Sequence, residues 1–328
     1  MKRYILLAFL LGVVWPVQAQ NRKQLASFPQ FRHTYNPSLT GAEGTVFRSV
    51  YRNQWTGFED APKTIIASAE LDLKRSGNTY FKGQSNREES GAAGAKHALG
   101  VNVYHDQFGP ARETQAGLSY SAAVRLSEAV SLRWGATLTY TLNNLDGNSL
   151  TVDQENDPQY TRLLGQENRS GRADINLGLS LVAANYYFGY AIQDVTEGRV
   201  LSTGSDYLND YFTRRHVLLG GYRVGITDMV GLSLNGIYQY DEKLKSTLEG
   251  QAKVIYNNML WLGGGYRKEL AYTLGAGVQL GQLTIGYTYE SPTQNARAID
   301  KATNEIMLSY RLHPFQSDRR NKRQLTIW

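Results

Sequence analysis

The chain contains no cysteine and five histidines, His33, His97, His105, His216 and His313. Thiolate metal sites and disulfides are therefore excluded. The histidines fall in separate segments and lack the spacing that brings ligands together on a metal. No GxSxG, HExxH or Walker-type loop occurs. Gly275-Ala276-Gly277-Val278-Gln279-Leu280-Gly281 superficially looks like a nucleotide-binding glycine pattern. Its spacing is wrong, and it sits in an alternating segment with no helix after it. Asp146, Asp153, Glu155 and Asp157 offer oxygen ligands but lack the EF-hand glycine and closing glutamate, so they read as solvated loop charge. His105 and Asp106 are neighbours on a strand, which puts them on opposite faces and prevents a catalytic dyad. No enzyme, cofactor or metal is expected.

The residues that do stand out lie in Tyr51–Thr64, YRNQWTGFEDAPKT. Phe47, Tyr51 and Trp55 alternate with Arg48 and Arg52, and a second alternating run (Ile65, Ala67, Ala69, Leu71, Leu73) follows a Gly and Pro turn. That pattern predicts a hairpin, with Gly57 permitting the turn and Pro62 fixing it. Arg52 is expected on a polar inner face, seeking Glu70 or Asp72 on the adjoining strand, because a cation there is stable only when wet or paired. Trp55 ends its strand, where an interfacial anchor belongs. Together, Arg52 and Glu59 to Pro62 are expected to tie the N-terminal segment to the wall.

The elements that position these residues are strands. Period-two alternation repeats from Thr45 onward and is cleanest at 130–142: Val130, Leu132, Trp134, Ala136, Leu138, Tyr140 and Leu142 oppose Ser131, Arg133, Gly135, Thr137, Thr139 and Thr141. Alternation alone fits a soluble sandwich as well as a membrane barrel. Strand length and loop parity separate them. About fourteen strands, near 45–55, 64–73, 97–106, 113–126, 129–142, 173–183, 185–193, 214–224, 229–240, 246–256, 259–267, 270–280, 283–290 and 303–312, place the long connections 143–172, 194–213 and 291–302 at one end. The short connections fall at the other. The polar stretch 74–96 breaks the rule, as either a true excursion or a miscounted strand. The expected fold is all-β, a transmembrane antiparallel β-barrel occupying 44–312. Tyr104, Tyr120, Tyr140, Tyr222, Tyr238, Tyr240, Tyr256, Tyr272, Tyr287 and Tyr310 form its outward aromatic girdles. Inward glycines (Gly117, Gly135, Gly178, Gly275, Gly277, Gly286) crowd a lumen that holds either water or a plug.

Both ends of the chain are distinct from this repeat. Lys2, Arg3, the apolar run to Trp15 and Val17-Gln18-Ala19 read as a signal peptide over 1–19, cleaved after Ala19. Residues 20–43 show no periodicity and form a lead-in that starts in the periplasm and enters the barrel mouth. Residues 313–328, with Arg319, Arg320, Lys322 and Arg323, read as a basic periplasmic tail, or, in the alternating Gln324–Trp328, as a further strand. Without the leader the chain has 33 basic and 29 acidic side chains, too even a balance to argue for nucleic acid.

Several fragments, in order, resemble the PorP/SprF family of the type IX secretion system. They are Asn36-Pro37-Ser38-Leu39-Thr40-Gly41, Arg52-Asn53-Gln54-Trp55, Ala61-Pro62-Lys63-Thr64, Leu99-Gly100 with Asp106 and Gly109-Pro110, Leu260 to Arg267, Ile285 to Tyr289 and Glu305 to Tyr310. The basic extension after Leu312 departs from the family pattern. The resemblance implies an outer-membrane β-barrel of Bacteroidetes-type bacteria that helps secrete or anchor surface proteins, gliding adhesins among them. Its expected partners are outer-membrane lipids, type IX secretion components, secreted surface proteins and a periplasmic peptidoglycan-binding lipoprotein. The family supplies no catalytic residue. The matched positions Asn36, Pro37, Gly41, Arg52, Asn53, Gln54, Trp55, Ala61, Pro62, Asp106, Gly109, Pro110, Trp261, Tyr266, Arg267 and Tyr287 are candidates for structure or partner contact. The alternative is a channel for a hydrophobic or small solute, since fatty-acid channels are also about fourteen-stranded barrels with an N-terminal plug.

Overall fold

A computed structural model of the chain describes residues 24–73, 96–147, 168–204, 213–244, 246–296, 300–312, 325, 327 and 328. Its strands are β1 (Val46–Asn53), β2 (Lys63–Asp72), β3 (His97–Phe108), β4 (Ala111–Arg125), β5 (Val130–Leu145), β6 (Arg169–Ala183), β7 (Tyr186–Gln193) and β8 (Leu201–Gly204). They continue with β9 (Arg215–Gly225), β10 (Val230–Asp241), β11 (Thr247–Tyr256), β12 (Leu260–Arg267), β13 (Ala271–Leu280), β14 (Leu283–Pro292) and β15 (Thr303–Arg311). Each strand pairs antiparallel with its sequence neighbour, apart from the short β8, which adds to β6. Pairing of β1 with β15, with Arg52 opposite Glu305, and of β5 with β6 closes fourteen strands into a ring. The expected strand set matches this ring, in which β2 pairs directly with β3. Residues 74–95 lie outside the described residues.

The turns follow local chemistry. Asn257 and Asn258 both take φ near +50°, the two-residue hairpin geometry that asparagine tolerates. Gly281 turns β13 into β14 with φ +61°. The connections 126–129, 184–185, 226–229, 257–259 and 281–282 define a short-turn end, and the strand ends that flank the longer connections 146–168, 194–214 and 293–302 lie at the opposite, long-loop end.

The wall is inside out relative to a soluble protein. Leu138 is 57% exposed while its neighbour Thr139 is 2% exposed, and the same alternation runs through β10 and β11. An apolar exterior around a polar interior is the signature of a barrel whose solvent is lipid. Tyr222, Tyr256 and Tyr310 lie toward the short-turn end and Tyr238, Tyr240 and Tyr272 toward the other, as aromatic girdles require. Tyr104 is a correction to the girdle. It shares the inward face of β3 with Gly100, Asn102 and Asp106 and packs on the buried cluster of Leu25, Phe31, Val50, Ile66 and Met307.

The core is the lumen itself. Residues 24–44 enter it as turns, one helical turn α1 (Arg32–Tyr35) and a single 3-10 turn (Pro37–Leu39). Phe28, Tyr35 and Leu39 pack on Tyr187, Val217, Leu219 and Ile237 of the wall. Of the C-terminal stretch, only Leu325, Ile327 and Trp328 are described. All three are buried within the barrel, and none is in a strand.

Candidate functional site

Asn36 is fully buried and caps the 3-10 turn through Oδ1, which accepts from Ser38 N–H at 3.0 Å and Ser38 Oγ at 2.7 Å. Its Nδ2 donates to the carbonyls of Leu179 and Tyr190, each at 3.3 Å, so one carboxamide joins the turn to β6 and β7. The wall has been thinned to admit it. A Cβ at Gly178 would overlap Asn36 Oδ1, one at Gly189 would lie 2.6 Å from Nδ2, and one at Gly135 would lie 2.5 Å from Pro37 O. A second hydrogen bond, of 2.8 Å, joins Ser38 Oγ to Ser180 Oγ on β6. Arg133, with no exposed surface, sends Nε to Ser38 O (2.9 Å) and Nη2 to Thr40 O (2.8 Å). Gln193 Nε2 donates to the carbonyls of Thr34 and Tyr35 at 2.8 and 3.0 Å.

Two ionic clusters flank this turn. Toward the short-turn end, Glu43 receives Arg32 and Arg48 at 2.6 Å each and Arg311 at 3.0 Å. Glu70 accepts from Arg48 and from Gly41 N–H, the latter at 2.7 Å, where Gly41 takes φ +69°. Burial alone would raise the Glu43 carboxyl, but the guanidiniums of Arg32, Arg48 and Arg311 hold it well below the usual carboxylate range. His33 Nδ1 lies 3.3 Å from Glu70 Oε1. Burial, reinforced by Arg48 and Arg32 and opposed by Glu70 and Glu43, pushes this imidazole down to about 4. It is therefore neutral at pH 7, and its contact with Glu70 is not an ion pair there.

Toward the long-loop end, Arg52 reaches Glu290 at 3.0 Å and Glu305 at 3.3 Å. The expected partners Glu70 and Asp72 are corrected by this geometry, since Glu70 is taken up by Arg48 and Gly41 nearer the other end. Arg267 bridges Glu249 at 2.8 Å and Glu290 at 3.2 Å. Glu305 uses both oxygens on the N-terminal segment, accepting from Ala26 N–H at 3.0 Å and Ser27 N–H at 2.8 Å. Arg52 thus holds the segment through Glu305. Buried charges of this kind persist because each has counter-charges and hydrogen bonds within reach.

The other motif residues gather at the rim and on the wall. Gln54 N–H donates to Pro62 O at 2.9 Å, and the hairpin joins the β3–β4 turn through Gly109 N–H to Asp60 O at 3.1 Å. The 59–62 stretch therefore ties to that turn and to its own hairpin, through Asp60, Ala61 and Pro62, rather than to the N-terminal segment as expected. Trp55, half-buried with φ +53°, sets its ring edge-on to Phe58 and Phe108, and its backbone N–H donates to Thr303 Oγ1. Asn53 pairs with Lys63 and Asn304 in the two ladders, Ala61 is partly exposed, and Pro110 O accepts from Asp146 N–H. Asp106 is buried and accepts from Thr64 Oγ1. Tyr266 and Tyr287 face outward, Tyr287 donating to Asn304 Oδ1. Trp261 faces the lumen on a floor of Gly275, Gly277 and Gly286, any of whose Cβ atoms would crowd its ring.

The motif list missed Arg133, Gln193, Glu305 and Trp328. Arg133 was visible as the one cation on the polar face of β5, and Trp328 as the end of the 324–328 alternation. Glu305 was visible as the carboxylate opening the last family fragment. Inside the barrel, between Ala26, Ser27, Gln30, Lys253 and Trp261, a void of about 20 Å³ remains, room for roughly one water.

A family described as type IX secretion system membrane protein PorP/SprF matches residues 17–310. No curated protein matches the sequence. Among solved structures, the chain is similar to the Ralstonia pickettii toluene transporter TbuX, at 12% identity over 85% of this chain and 93% of that one, with TM-score 0.47. A Pseudomonas aeruginosa FadL homologue gives 8% identity over 85% and 93%, with TM-score 0.43. Acinetobacter baumannii Omp33 gives 7% identity over 81% and 96%, with TM-score 0.41.

Proposed function

Because the chain belongs to the PorP/SprF family of type IX secretion system membrane proteins, we propose that it acts without catalysis, assisting secretion or surface anchoring of proteins such as gliding adhesins. It does so as an outer-membrane β-barrel, with its short-turn end in the periplasm near a peptidoglycan-binding lipoprotein. The observation that carries this reading is the filled lumen. Residues 24–44 pack inside the bore against the wall, and the void beside Ala26, Ser27 and Gln30 measures about 20 Å³, room for about one water. The family residues Asn36, Gly41 and Arg52 are spent on holding that filling in place. A barrel so filled supports the role of a platform for partners over that of a conduit.

Deleting the gene is expected to abolish surface display of particular secreted proteins while small-solute uptake stays intact. Crosslinked capture of the detergent-solubilised barrel is expected to recover secretion components. Intact display together with a solute-uptake defect would instead establish the channel reading.

A further inference from the structure

Trp328 sits deep in the short-turn half of the lumen, in contact with both the wall and the N-terminal segment. Its ring meets Tyr187 edge-on at 4.9 Å, and the guanidiniums of Arg223 and Arg32 lie over it at 4.2 and 4.9 Å from the centroid. Its main-chain oxygen accepts from Gln30 Nε2 at 3.0 Å and from Lys253 Nζ at 3.1 Å. Leu325 and Ile327 pack with Ile255 and Trp261. Gly231 leaves room for Leu325, since a Cβ there would come within 2.9 Å of its Cγ.

This is a built site with a definite chemistry. Lys253 and Arg223 are 4% and 5% exposed, and Arg223 Nη1 has no hydrogen-bond partner among the described residues. Left empty, the site would hold Arg32, Arg223 and Lys253 facing one another with less compensation. The indole face and the Trp328 main-chain oxygen add to the compensation that Glu43 gives Arg32 and the Ala184 carbonyl gives Arg223. Nothing joins Leu325, Ile327 and Trp328 to a neighbouring strand ladder. They are held by side-chain pockets two residues apart plus an aromatic end, the way an extended peptide is bound by a receptor.

We propose that the short-turn half of the lumen is a peptide-binding site, occupied here by Leu325, Ile327 and Trp328 of the same chain, and that these residues lock the N-terminal segment until they are released. The ligand class is a short extended peptide carrying two aliphatic side chains two residues apart and then tryptophan. Release uncovers Gln30, Arg32 and the void beside Ser27, all of which lie next to Trp328 or its partners Lys253 and Trp261.

The absence of cysteine makes the test direct. Ser27→Cys, buried beside the void, is introduced into the full chain, and its maleimide labelling rate is measured alone, with Trp328→Ala, and with residues 325–328 removed. Heat-modifiable gel mobility reports that each barrel is folded, and Trp328→Phe serves as a milder variant should Trp328→Ala fail to fold. Labelling is expected to accelerate about tenfold or more, the scale of losing a large buried aromatic from a locally opening element. A synthetic peptide of sequence NKRQLTIW should slow it again saturably, and its Trp→Ala version should not. Unchanged labelling in the folded variants overturns the lock, and acceleration that no peptide reverses overturns the binding site.

Discussion

A methyl group added at Gly178 would overlap Asn36 Oδ1, whereas one added at Gly250 meets nothing within 4 Å. Both residues lie in strands of the same wall, one facing the lumen and the other lipid. Gly178→Ala is expected to weaken docking of residues 24–44 by about 1–3 kcal/mol through overpacking. Gly250→Ala is expected to be neutral, or stabilising by up to about 1 kcal/mol through the unfolded chain. The urea concentration at which residues 24–44 become open to protease should fall for the first and hold for the second; equal midpoints would remove the glycine floor from the account. At this scale the sequence was half legible. Arg133 and the inward glycines could be placed on the polar face by counting in twos. Their partners could not, because Arg133 binds the carbonyls of Ser38 and Thr40, and backbone acceptors carry no residue identity. Arg52 shows the same limit: Glu70 lies on the sequence-adjacent strand, but ring closure brings Glu305 alongside from the far end of the chain.

The strands were readable because lipid outside and polar side chains inside impose a period of two on every one of them. The lead-in was not, since it obeys no period and takes its shape from the lumen that receives it. Its chemistry makes that docking sensitive to acid. The His33 imidazole is lowered from 6.5 to about 4 by burial, so between those values the unfolded segment binds more protons than the docked one. Stability from this group is complete above pH 6.5 and is lost as pH falls toward 4, on the order of 3 kcal/mol. Glu43, held low by Arg32, Arg48 and Arg311, adds a loss in the same direction once the pH drops below the ordinary carboxylate range. Cysteine labelling at position 27, taken at each pH relative to the same cysteine in the urea-unfolded chain because the thiolate fraction itself falls with pH, should therefore speed up from pH 7 to pH 4.5, and His33→Gln should flatten the upper part of that rise. A relative rate indifferent to pH in the parent protein would contradict the docking geometry of His33.

At the scale of the whole molecule, fourteen closed strands enclose a bore wide enough to pass small solutes when empty. Here that bore is occupied from both ends of the sequence, by residues 24–44 and by Leu325, Ile327 and Trp328. The two occupants meet at Gln30 and Arg32, so each supports the other. Glu305 is one of the wall's grips on the first of them, and removing Arg52 leaves Glu305 and Glu290 buried without one of their cations. Breaking a buried pair in this way costs about 3–5 kcal/mol. The intact barrel is thus expected to be electrically silent in a planar bilayer at neutral pH, and Arg52→Ala to show channel openings while retaining heat-modifiable mobility. Steady conductance in the parent would mean that the filling does not seal the bore. Silence in Arg52→Ala, with residues 24–44 still protected from protease, would place the grip on Asn36 and Arg133 instead of on the rim cluster.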